Sequence, residues 1–211
     1  MNILVLQTQN KINNDIANDL LEKGHEINKV DDIIKYSENE ILELSLFNNY
    51  YDLVIVGIID SDEEMRLKND YYDYCNNHML KFFENIFLII QRLSLSMIRK
   101  KKGNIVFLNK YDAMRFNGLT DTPISNNLSI SFMKSLNREL SSFKVSVNTV
   151  TLGTGFFFDE NGKELSKLFS LKPRRYRVNS VSKLLECLFL LSDAVLGGQN
   201  IELSPGTETS I

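Results

Sequence analysis

Ionisable and nucleophilic side chains are plentiful in this chain, but few stand in patterns that chemistry requires. Lys110 and Tyr111 set an ammonium beside a phenol, the pairing that lowers a tyrosine pKa for proton transfer to a carbonyl oxygen. Neighbouring residues at a strand end point in different directions, so both read as polar loop residues. Asp60, Asp62, Glu63 and Glu64 form an acidic group that could take a divalent cation, yet carboxylates in a loop ahead of a helix are usually solvated, and no metal site is expected. His25 and His78 are the only histidines, and neither has a Ser or Cys nucleophile in pattern with it. Cys75 and Cys187 lie far apart without metal-ligand spacing, each in an apolar helical pattern, and read as reduced core thiols of a cytoplasmic protein. The densest basic cluster is Lys172-Pro173-Arg174-Arg175-Tyr176-Arg177. It would suit an acidic partner or a phosphate, but a surface loop near a helix start is the simpler reading.

The elements that must position these groups alternate between strand and helix patterns, as in a parallel sheet covered on both faces. Ile3 to Leu6, Glu26 to Val30, Asp52 to Ile59, Gly103 to Leu108, Val145 to Val150 and Gly198 to Leu203 read as strands. Near-continuous apolar runs such as DLVIVGII belong in the middle of such a sheet. A first helix carries Ile12, Ile16, Leu20 and Leu21 on one face and stops at Gly24. Glu40 to Phe47 is a short amphipathic helix, Tyr72 to Lys102 the longest helix, and Val181 to Leu191 a final one. The apolar set of the longest helix, from Met79 to Ile98, is too wide for one buried stripe, so a second face must be covered. Arg99 to Lys102 complement the dipole at its C-terminus.

Composition narrows the classes. A length of 211 residues with 43% hydrophobic residues supports one sizeable core. A net charge of -3 leaves no electrostatic footprint for nucleic acid. MNILVLQTQ has no basic segment ahead of its short apolar run, so it reads as a first strand rather than a signal peptide. Ile86 to Ile90, the longest apolar stretch, is far too short to cross a bilayer.

Three fragments, in this order and spacing, carry a family resemblance: MIRKKKGNIVFL, RELSSFKVSVNTVTLG and LLSDAVLGGQNIELSPG. Together they resemble the long helix, the late helix-strand-turn and the C-terminal strand of the short-chain dehydrogenase/reductase family. The resemblance implies a Rossmann-like, doubly wound parallel sheet with helices on both faces, here one domain over residues 1–211. Only about one short element fits between Asp31 and Asp52, so the sheet is expected to be trimmed after the second strand. The resemblance also implies a nicotinamide cofactor on a Gly-rich first turn, but the glycine positions fall on Gln7, Lys11 and Asn13. Asp31 stands where an acidic residue would hold a ribose hydroxyl, and without the glycines it reads as a solvated loop end. The Asn-Asn-Ala-Gly match is Val56-Gly57-Ile58-Ile59. The family's catalytic Asn, Ser, Tyr and Lys positions fall on Phe82, Lys110, Thr122 and Asn126. A Thr hydroxyl is far too weak an acid to replace the Tyr, and Asn has no charge with which to shift it.

The expectation is therefore a pseudoenzyme of this family with no cofactor, acting by protein–protein contact with itself or an active paralogue. The contact helices would be 72–102 and 126–142. Two alternatives stay open. One is a divergent NAD(P)-dependent oxidoreductase; the other is a small-ligand sensor using a cleft lined by Gln7, Lys110, Thr122 and Gly153.

Overall fold

In the computed structural model, described for residues 1–58, 75–110, 121–152, 187, 188, 190 and 196–203, the apolar runs form one parallel sheet. Its strands are β1 (Asn2–Leu6), β2 (Glu26–Val30), β3 (Leu53–Val56), β4 (Gly103–Lys110), β5 (Val145–Leu152) and β6 (Asn200–Leu203), in the order β2-β1-β3-β4-β5-β6. Leu6 lies between Val30 and Val56, and Val56 between Leu6 and Phe107. The order reverses between β1 and β3, which opens a crevice at the C-terminal strand ends. β4 and β5 each run two residues beyond the expected Leu108 and Val150, because Asn109 and Lys110 continue the ladder with Thr151 and Leu152.

Period-two alternation divides the apolar side chains between two cores. Leu4, Leu6, Val54, Val56, Ile105 and Phe107 face one core, with α3 (Lys81–Lys100) and α4 (Asp121–Leu140). Ile3, Val5, Leu53, Ile55, Val106 and Leu108 face the other, with α1 (Lys11–Glu22). The doubly wound α/β arrangement expected from the sequence is thus present, with helices on both faces.

Local chemistry sets where the helices start and stop. Asn10 caps α1, its side-chain oxygen accepting from the Ile12 and Asn13 N–H groups. At the other end Gly24, at φ +83, lets His25 N–H reach Leu20 O and Gly24 N–H reach Leu21 O. Leu21, expected on the buried face, is 55% exposed. It sits 100° around the helix from Leu20, and Asn13 and Ala17 complete the buried stripe instead.

Residues between β2 and β3 depart from the expected Glu40 to Phe47 helix. A 3-10 turn (Ile33–Lys35), α2 (Glu38–Leu42) and a second 3-10 turn (Ser45–Asn48) follow one another, with no strand, so the sheet edge is trimmed at β2. On one continuous helix Ile41 and Leu46 would lie about 140° apart. The break turns both into the same core.

The helix expected from Tyr72 begins as regular α-helix only at Lys81, after a π-helical turn over Cys75–Leu80; residues 72–74 lie outside the described residues. As regular α-helix it has 20 residues, the same as α4. The late helix expected over 126–142 starts earlier, at Asp121, and gives way to a 3-10 turn at Ser141–Phe143. Pro123 falls in its first turn, where a missing N–H costs nothing. Of the expected Val181 to Leu191 helix only 187, 188 and 190 are described, all helical.

The Arg99 to Lys102 run is absorbed structurally at the N-terminal end of the sheet. Lys100 Nζ stacks 3.5 Å over the Tyr50 ring, Lys102 pairs with Asp52 at 3.3 Å, and Tyr50 Oη donates to Lys102 O. Lys101 adopts φ +50 so that its N–H and that of Lys102 close the helix on Ile98 O and Met97 O. A left-handed conformation costs a residue with a Cβ about 1 kcal/mol. Lys101→Gly is therefore expected to raise stability by about 0.5–1 kcal/mol, read from urea unfolding midpoints. For Asp52, burial raises the carboxyl pKa, but the Asn2 N–H and the Lys102 ammonium outweigh it and hold the group below its ordinary value. Its stabilising contribution is full above the unfolded pKa of about 3.9 and is lost as pH falls through the lower folded value. Asp52→Asn should flatten that acid limb of the stability–pH profile while leaving its neutral-to-alkaline shape unchanged.

Candidate functional site

The C-terminal crevice between β1 and β3 is where this topology places ligands. Leu6 ends β1, and Gln7 follows at φ +63, fully buried. From there four backbone donors of the turn are spent internally. Thr8 N–H goes to Val30 O, Asn10 N–H to Gln7 O, and the Ile12 and Asn13 N–H groups to Asn10 Oδ1. The Gln9 side-chain amide donates to Gln7 Oε1. Gln7 Nε2 is buried and finds no partner among the described residues.

Asn13 is the centre of this turn. Its Nδ2 donates to Gln7 O at 2.8 Å and to Ile58 O at 2.9 Å, while its Oδ1 accepts from Ile58 N–H at 3.0 Å. The amide orientation follows from the partners, two carbonyls on one side and one N–H on the other. Gly57 is what makes room, since a Cβ there would stand 2.5 Å from Asn13 Cγ and closer still to Leu6 O. A dinucleotide pyrophosphate needs open glycine positions and free helix N-terminal donors. The residues present do not fit it.

Other expected positions are dispersed. Lys11 is exposed at the first position of α1. Asp31 is exposed but not merely solvated, because Thr8 Oγ1 donates to its carboxylate at 2.6 Å. Phe82 is 2% exposed, edge-on to Phe83 in the core, so that position offers no polar group to the crevice. Lys110 closes β4 and Thr122 lies in the first turn of α4, which sets both backbones near the C-terminal edge; Asn126 is half-buried one turn further along α4. Buried Asn109, beside Lys110, has Nδ2 without a partner among the described residues. Tyr111, Gly153, the Asp60 to Glu64 group and the Lys172 to Arg177 cluster lie outside the described residues.

Neither histidine joins a reactive constellation among the described residues. Burial first, then the charges of the N-terminus and Lys23, hold the His25 imidazole below its ordinary pKa between the end of α1 and the start of β2. His78 sits in the π-helical turn. Burial pushes the Cys187 thiol up, as for an unreactive core cysteine. No group of three or more metal-ligating side chains occurs among the described residues, and no described helix is long and apolar enough to cross a membrane.

No family model and no curated protein matches this chain. Solved structures do. Halohydrin dehalogenase HheC bound to ethyl (2S)-oxiran-2-ylacetate superposes with TM-score 0.73 at 17% identity, over 100% of this chain and 98% of that one. A short chain dehydrogenase from Leptospira borgpetersenii serovar Hardjo-bovis with bound NAD+ gives 0.75 at 18%, over 97% and 91%. A Bacillus thuringiensis protein assigned as a 3-oxoacyl-reductase gives 0.70 at 12%, over 99% and 98%. The fold is the short-chain dehydrogenase/reductase fold. Identities this low establish shared architecture and leave the activity to the site residues.

A second feature of the fold went unread in the sequence. A groove of about 860 Å³ runs along α3, walled by Tyr36 and Ser37 on one side and by Leu128 and Phe132 of α4 on the other, with Leu80, Phe83 and Phe87 along its floor. Buried Asn85 sets its width by donating to Ile33 O at 2.7 Å and Tyr36 O at 3.2 Å. The legible signal was a lone amide within an apolar helical run. Asn85→Ala would leave Tyr36 O unpaired and Ile33 O with the long bond from Tyr36 N–H at 3.4 Å, and should cost about 1–3 kcal/mol in chemical denaturation. Faster amide exchange across the 33–42 segment would accompany it.

Proposed function

We propose that this chain is a non-catalytic protein of the short-chain dehydrogenase/reductase fold that works by protein–protein contact. The observation that carries this reading is a second apolar face on α3. Helix geometry puts Phe82, Ile86, Ile89, Ile90, Leu93 and Met97 on the core side. Leu80, Phe87 and Leu95 lie on the opposite side and remain 47%, 49% and 49% exposed. Leu128, 38% exposed, extends the patch onto α4, and the Phe87 and Phe132 rings meet at 6.1 Å. Large apolar side chains exposed together on one helix face are a mark of an interface.

The occupant we favour is a second copy, because the stripe is self-complementary. The midpoint of Leu80 and Leu95 falls between Phe87 and Leu88. An antiparallel α3 related by a two-fold axis there would meet Leu80 with Leu95, Phe87 with Leu88, and Glu84 with the neighbourhood of Gln91 and Arg92. An active protein of the same fold presenting a similar helix is the related partner. The dispersal of Phe82, Lys110, Thr122 and Asn126 among apolar, basic and neutral types supports the absence of proton-transfer chemistry. A divergent NAD(P)-dependent oxidoreductase is the competing reading, favoured by the NAD+ in the Leptospira structure. It would need a cofactor pose that avoids the turn at Asn13.

Light scattering after size exclusion tests the contact. At micromolar concentration the wild-type chain should run as a dimer or larger assembly. Phe87→Glu/Leu95→Glu should run as a folded monomer, since burying a charge at an anchor position costs at least about 2 kcal/mol, or roughly 30-fold in affinity. A monodisperse wild-type monomer would sink the proposal.

A further inference from the structure

The crevice is not simply lacking its glycines; two of its residues have changed places in kind. The matched family positions call for a glycine at 13 and an asparagine at 57, and this chain has Asn13 and Gly57. The exchange is physically coupled. The Asn13 carboxamide occupies the space that a side chain at 57 would need, as the approach of Cγ to the Gly57 Cβ direction shows. From α1 it reaches across to Gln7 on one strand end and Ile58 on the next, using all of its hydrogen-bonding groups at one point of the crevice. Asn10 does the matching work at the helix start. Its Oδ1 stands where an anion's oxygen would and takes the two N–H groups that an anion would take.

We infer that the nucleotide crevice of this fold is permanently self-occupied. Asn10 and Asn13 together act as an internal substitute for the bound pyrophosphate, sealing the mouth between β1 and β3. The consequence is a chain whose crevice is ordered without a dinucleotide, and from which the dinucleotide is excluded whatever the state of the catalytic positions. This is independent of the α3 contact, because the seal lies at the C-terminal strand ends on the α1 side of the sheet.

Three measurements on the full chain decide it. Wild-type protein should show no shift of its unfolding midpoint, and no calorimetric binding, with NADH or NADPH up to about 1 mM, where a ligand with a Kd of 10 μM would add roughly 2.7 kcal/mol. Asn13→Ala should lower the midpoint by roughly 4–8 °C by orphaning the Ile58 carbonyl and N–H and leaving Gln7 O with the Asn10 N–H as its donor, without changing the particle size of the folded protein. Asn13→Asp, which keeps the shape but turns the donor into an acceptor facing Gln7 O and Ile58 O, should be at least as destabilising. Hydrogen exchange on the unmutated chain covers the case in which both variants fail to fold. The Ile58 amide, which donates to Asn13 Oδ1, should be as protected as the β3 amides preceding it. Saturable NADH or NADPH binding by the wild type, an unchanged midpoint in Asn13→Ala, or a rapidly exchanging Ile58 amide would each overturn the inference. A monomeric wild type with a protected Ile58 would instead refute the proposed contact and leave the seal standing.

Discussion

A parallel sheet whose central strands are apolar on both faces has to be covered on both sides, and everything else in this protein answers to that constraint. β1 and β3 are buried along nearly their whole length. On one face α1 covers the inner strands, with Leu188 in the same core. On the other, α3 lies across Leu4, Leu6, Val54, Val56, Ile105 and Phe107, and it must also meet the segment that replaces a lost edge strand. That segment carries no strand hydrogen bonds, so its backbone carbonyls need other donors. Asn85 supplies them from the helix for Ile33 and Tyr36. A buried amide in an apolar helix is tolerated because both of its N–H groups are satisfied by carbonyls of that segment.

The same trimming accounts for the groove. With Tyr36, Ser37 and Glu38 standing on its outer side, α3 keeps an apolar face that no described part of the chain covers fully. Burying a half-exposed Leu or Phe gains on the order of 1 kcal/mol. A stripe of them is worth more as an interface than as open surface.

The crevice follows a different logic, in which polar groups rather than apolar area decide. Gln7 takes a left-handed backbone angle where a glycine would be at ease, and the turn tolerates it because its neighbours are held. Thr8 is tied to both Val30 and Asp31, and Asn13 to both strand ends. Such a turn is held largely by its own bonds.

Much of this was legible in the residues. The alternation of ILVL, LVIV and GNIVFL with helical runs specified a parallel α/β sheet, because side-chain period and continuous burial leave few other arrangements. The stop at Gly24, the trimmed edge and the lack of catalytic residue types at Phe82, Thr122 and Asn126 could likewise be read directly. Asn13, by contrast, looked only like a side chain in the way. That it reaches 45 residues along the chain to Ile58 depends on how α1 packs on the sheet, which no local pattern encodes. The breadth of the apolar set on α3 was visible in sequence, but which residues point inward was not. Residue types and their spacing determined the architecture. Tertiary packing alone decided which polar side chain meets which backbone group, because those bonds join segments whose proximity exists only after the sheet has formed.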